Sequence, residues 1–212
     1  MAELEQVDLS DMTNEQRIAF FLNIYQCMYV HNFLRTMSED DQYHNSQEEQ
    51  SSQGIFNALR SYAASSNKKP FFYQLGAYQF SLDEIKHGLL RGNNKSPFRY
   101  TRSLSSSDER LGLIEESSVL DARINFICLD FPSFLEHMDE FDGVSEEELD
   151  QAMDKYVSEI INAKVTIEQD EGTMTLPQVF QTYKNDFGNT TENIINFIFK
   201  YYDSDIDMET VL

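Results

Sequence analysis

The sequence predicts an α+β fold: one domain over residues 1–212, with a small, mostly antiparallel sheet surrounded by helices and an N-terminal helix buried at the centre. Three observations carry this expectation. Capping boxes, a hydroxyl residue followed three positions later by Gln or Glu, occur at Thr13, Ser81 and Ser145 and mark helix starts. Short apolar or alternating stretches at 71–80, 124–129 and 164–175 read as strands. Helical and strand segments then alternate without a linker or repeat, in the order αα-ββ-α-β-α-ββ-α-α, an α+β pattern.

Taken in order, Thr13-Asn-Glu-Gln16 opens a helix from about Asn14 to Arg35. Between Ile18 and Val30 it is apolar nearly all round, as a buried helix is. Residues 38–54, "SEDDQYHNSQEEQSSQG", are polar and predict a mobile loop, followed by a short helix near 55–64. Phe71 to Phe80 alternates around Gly76 and predicts a hairpin. Ser81-Leu-Asp-Glu84 then caps a helix ending near Arg91, with Gly92 as its stop. Ile124 to Leu129 reads as a core strand, and Ser145 opens an amphipathic helix to about Asn162. "KVTIEQDEGTMTL" predicts a second hairpin, Pro177 a helix start, and Gly188 a terminator before a last helix from about Thr191 to Tyr201. Residues 203–212 form a loose acidic tail in this reading.

Composition narrows the function classes. With 41% hydrophobic residues the chain can build a core. A net charge of −21 disfavours nucleic acid and anionic membrane surfaces as partners. The N-terminus lacks a secretory pattern, no apolar run reaches the ~20 residues of a membrane span, and Cys27 and Cys128 sit in apolar stretches without metal or CxxC spacing. These features predict a reduced, cytoplasmic protein with no metal and no cofactor. The charge is uneven, however: half of the 16 bases fall between Arg60 and Arg102, while residues 136–159 hold ten acids against Lys155 alone. The basic stretch is expected to pair with the acidic helix from Ser145; the alternative is that it faces an acidic or phosphorylated partner.

Four blocks, "AFFLNIYQCMYVHNFL", "YQLGAYQFSLDEIKHGLLRG", "DARINFI" and "LPQVFQTYKNDFG", resemble in order and spacing those of the domain of unknown function 547 family. The resemblance reaches from Ala19 to Gly188 and implies no established activity. Asn23, His31, His87, Arg91 and Arg123 agree with the family pattern. Asn125 stands where the family usually has histidine, Lys86 where it prefers glutamate and Gln26 where it prefers asparagine. The family's cysteines after the histidine are also missing, so within 121–134 the chain reads as divergent.

Two function classes follow. A hydrolase would use Cys128 as nucleophile with His87 or His31 as base, in a cleft around Asn23, His87 and Arg123. Asn125 cannot take a proton as a histidine would, and burial among Phe126, Ile127 and Leu129 makes Cys128 inert. The leading expectation is therefore a non-catalytic domain that binds a protein or another ligand. Asn23, Gln26 and His31 would line one wall, or satisfy neighbouring backbone. His87, Arg91 and Arg123 would meet a small anion, or Arg123 would pair with Asp121 or Asp83.

Overall fold

The structure, a computed structural model, describes residues 3–39, 71–113, 121–128, 145–168 and 172–203. Helix α1 spans Asn14–Glu39. Its start is the expected capping box: Gln16 N donates to Thr13 Oγ1 at 3.2 Å and Thr13 N to Gln16 Oε1 at 3.0 Å. The helix runs past Arg35 into the first residues of the expected loop, and the rest of that loop lies outside the described residues, as do the helix near 55–64 and nearly all of the acidic tail. Phe21, Leu22, Met28 and Phe33 bury α1 in the core.

Strands β1 (Phe72–Leu75) and β2 (Tyr78–Ser81) form an antiparallel hairpin with Leu75 opposite Tyr78. Gly76 holds the turn at φ +56°, and a Cβ there would lie 2.5 Å from Val7 O. The turn is therefore pressed against the N-terminal segment, and Gly76 N donates to Leu4 O at 2.9 Å. Helix α2 (Glu84–Leu90) follows from the Ser81–Glu84 capping box. It is wound as a π-helix, an unusual geometry that recurs at functional sites. Six consecutive residues from Ile85 to Leu90 are buried, because α2 lies between α1 and the chain following it.

The sequence reading fails at 124–129. Ile124–Ile127 is one helical turn, α3, and Leu129 lies outside the described residues. All four residues of the turn are buried, Asn125 included, so no exposed face reveals a helical period. The expected single sheet is accordingly two separate hairpins, β1–β2 and β3 (Thr166–Glu168) with β4 (Thr173–Thr175). The α+β class itself stands.

Helix α4 (Glu146–Lys164) starts at the third capping box, Ser145 with Glu148. Helices α5 (Gln178–Thr182) and α6 (Thr191–Tyr201) complete the described order, with a 3-10 turn at Lys184–Phe187 between them. Gly188 ends that turn at φ +81°. Phe126, Phe180, Phe187 and Phe197 form an aromatic cluster with ring centroids 4.8–6.1 Å apart. This cluster joins α3, α5, the 3-10 turn and α6, and so fixes Asn125 and Asp186 beside α2.

Candidate functional site

A buried polar cluster forms where α2, α3 and the Lys184–Phe187 turn meet. Arg91, just past the end of α2, holds Asp186 with two parallel bonds, Nε to Oδ2 at 2.7 Å and Nη2 to Oδ1 at 2.9 Å. Both side chains are almost wholly buried, at 3% and 4% exposure, so this is a desolvated pair of the strong, planar kind. Arg91 Nη1 also reaches His87 Nδ1 at 2.5 Å and Lys95 O at 3.3 Å. Asn125 Nδ2 donates to Asp186 Oδ2 at 2.9 Å, while Asn125 Oδ1 is buried without a partner.

Tyr183 roofs this cluster. Its ring lies 4.7 Å from the Arg91 guanidinium carbon and 4.8 Å from Lys86 Nζ, and it stacks on His87 with centroids 6.3 Å apart. Lys86 is 3% exposed. Burial is the main reason its pKa falls to about 8, and the Arg91 charge lowers it further, while Cys128, Asp186 and Asp83 pull the other way. His87 is pushed down to about 3 by burial and by the positive charges of Lys86, Arg91 and Arg99.

Those values fix protonation states at neutral pH. His87 is uncharged, and its Nδ1 accepts from Arg91, so its one proton sits on Nε2, 3.9 Å from Asp83 Oδ1. Neither ring nitrogen keeps a free lone pair. Cys128, at the end of α3, is pushed up to about 11 by burial, with Lys86 and Arg91 opposing. Tyr25 of α1 is also raised, again chiefly by burial, with Cys128 among its neighbours.

The residues singled out in the sequence divide into three groups. His87, Arg91 and Asn125 meet, with Cys128 beside them. Arg123, two residues from Asn125, belongs to another network: it binds Asp121, Asp150 and Asp154, and fastens α3 to α4. His87, Arg91 and Arg123 therefore do not form one anion site. The third group lies along α1. Gln26 is buried and donates to Ile127 O at 2.9 Å, tying α1 to α3. Asn23 is half-buried, whereas Cys27 and His31 are exposed, so the polar seam follows the more open side of α1. His31 Nδ1 lies 2.7 Å from Tyr73 Oη.

Sequence reasoning missed Lys86, Tyr183 and Asp186 as members of the cluster. Lys86 carried little signal, since a lysine next to His87 in a short helix reads as a surface residue. Asp186 carried almost none, because its partner Arg91 lies 95 residues away.

Among the described residues no group of three or more His, Cys, Asp and Glu side chains could hold a metal ion, and no helix is long and apolar enough to cross a membrane. Residues 9–130 match the model of the family described as "Protein of unknown function, DUF547". No curated protein and no solved structure matches the chain.

Proposed function

We propose, taking as premise that this chain belongs to the DUF547 family, that it acts as a non-catalytic binding domain whose buried polar cluster is structural. The observation that carries this reading is the engagement of His87. Its Nδ1 lone pair is held by Arg91, and Arg91 is itself locked onto Asp186. A general base needs a lone pair within reach of the proton it takes. Freeing His87 Nδ1 would leave Arg91 Nη1 buried without that acceptor, and a hydrogen bond to a charged group contributes about 1.5–3 kcal/mol.

Cys128 supports the same reading. A nucleophilic cysteine works as thiolate, favoured by nearby positive charge and partial exposure. Here burial outweighs the charges of Lys86 and Arg91, and the thiol stays protonated. Asp186 itself accepts from Arg91 Nε, Arg91 Nη2 and Asn125 Nδ2, so its buried charge is compensated as a structural carboxylate requires, although Asn125 Oδ1 stays unpaired.

The test is an NMR titration of the His87 ring in the folded protein. The account expects no protonation of His87 between pH 8 and 5, since its pKa lies near 3. A midpoint above pH 5 would mean that the ring is open to solvent and charge, and the structural reading of the cluster would fall.

A further inference from the structure

The loop that leaves α2 carries an exposed surface that the buried cluster does not use. Phe98 is 78% exposed and Tyr100 98% exposed, the two most exposed of the large hydrophobic residues described. Lys95, Arg99 and Arg102 surround them and are exposed as well. No acid occurs from Ile85 to Ser107. Two aromatic rings in water contribute nothing to a core, and the charge around them is basic except for Asp83, which meets Arg99.

The base of this loop is tightly held. Asn93 is buried at φ 55°, and its side chain donates to Leu104 O at 3.0 Å and accepts from Leu104 N at 3.1 Å. Arg102 Nη1 donates to Asn93 O at 3.0 Å, Arg91 reaches Lys95 O, and Ser96 is buried. Leu104 packs so closely on α2 that a Cβ at Gly88 would lie 2.7 Å from its Cγ. The chain from Asn93 to Leu104 is thus a braced arch whose crown displays Phe98 and Tyr100. A binding surface braced in advance loses less entropy on association.

We propose that this arch is a docking surface for an acidic linear peptide segment of a protein partner, one that carries apolar side chains between its carboxylates. The apolar side chains would cover Phe98 and Tyr100, and the carboxylates would pair with Lys95, Arg99 and Arg102. Arg99 already reaches the part-buried Asp83 at 3.1 Å but is itself exposed, so an incoming carboxylate would share its guanidinium. Aromatic and basic residues also suit nucleic acid. However, the chain as a whole carries −21, which repels a dense polyanion or an anionic bilayer far more than a short peptide of a few charges. The inference rests on the non-catalytic reading above but concerns different residues.

The test titrates the isotope-labelled full chain with a short synthetic peptide of glutamates interspersed with leucines. Saturable shifts should be confined to residues 95–102 and their immediate neighbours. The double variant Phe98→Ser/Tyr100→Ser should weaken binding at least about tenfold, as loss of aromatic anchors does, with its melting temperature unchanged. Binding should weaken as salt rises from about 50 to about 300 mM. Should the double variant fold poorly, Tyr100→Ser alone serves, because that side chain is almost wholly in solvent. Absence of saturable shifts, shifts centred elsewhere, or unaltered affinity in the variants would overturn the proposal. So would a single-stranded oligonucleotide or anionic vesicles binding more tightly at the same residues. None of those results would alter the His87 titration, so the two readings fail separately.

Discussion

Replacing Lys86 by methionine should stabilise the protein at neutral pH. Lys86 is 3% exposed and its ammonium lies over the Tyr183 ring, 4.8 Å from its centroid. Its pKa falls from 10.5 to about 8, chiefly through burial. That difference of about 2.5 pH units corresponds to ~3 kcal/mol against the charged form in the folded state. Methionine removes this cost and keeps a flexible, polarisable chain against the ring, but it forfeits a cation–π attraction of about 0.5–2 kcal/mol. The net expectation is a gain of about 1–3 kcal/mol at pH 7. The pH dependence gives the sign independently. From about pH 8 to 10.5 the folded lysine loses its proton while the unfolded one keeps it, so the wild type gains stability with rising pH across that window. The advantage of the variant should shrink over the same range. Urea unfolding at pH 7 and near pH 10, followed by circular dichroism because the chain has no tryptophan, measures both. A variant less stable than wild type at pH 7, or a gap that does not change with pH, would refute the reasoning.

Other substitutions read the remaining contacts. Asp186→Ala should lower unfolding free energy by about 3–5 kcal/mol in urea melts, because it leaves the Arg91 guanidinium buried without its counterion and Asn125 Nδ2 without its acceptor; a loss below about 1 kcal/mol would show that the pair contributes little. Arg123→Met should destabilise at neutral pH, since it leaves Asp121, Asp150 and Asp154 facing one another. Burial pushes the Asp154 carboxyl up, but hydrogen bonds from Tyr201 and Arg123 outweigh it and hold the pKa below the ordinary value. The stability Asp154 contributes in the wild type is therefore present above pH ~4 and lost as pH falls, so the gap to Arg123→Met should close in acid. A gap that widens in acid would contradict this assignment.

Local features were legible in the sequence and long-range ones were not. The three capping boxes need only residues three apart, and all three occur. The turn glycines Gly76 and Gly92 and the terminator Gly188 were readable for the same reason, each adopting positive φ. The segment Ile124–Ile127 was misread because burial on every side erases the periodicity that separates a strand from a helix. His87 and Arg91 share a face by spacing alone, but the carboxylate that organises Arg91 arrives from the far end of the chain. Asp121 was foreseen as a partner of Arg123 because it is two residues away; Asp150 and Asp154 were not. The expected pairing of the basic stretch with the acidic helix is not what Arg99 and Arg102 do. They reach Asp83 and Asn93 O, close to their own positions in the chain.

The central claim is that the cluster around Asp186 holds the fold together and performs no chemistry, and the titration of Cys128 tests it most directly. In a Cys27→Ser background, Cys128 is the one thiol left, and its rate of alkylation against pH reports its ionisation in the folded protein. The account predicts slow modification at neutral pH and an inflection near 11, where burial outweighs the neighbouring positive charges. Rapid modification at pH 7 with an inflection well below 9 would mean an accessible thiolate beside Lys86 and Arg91, and the cluster would have to be read as a reaction centre.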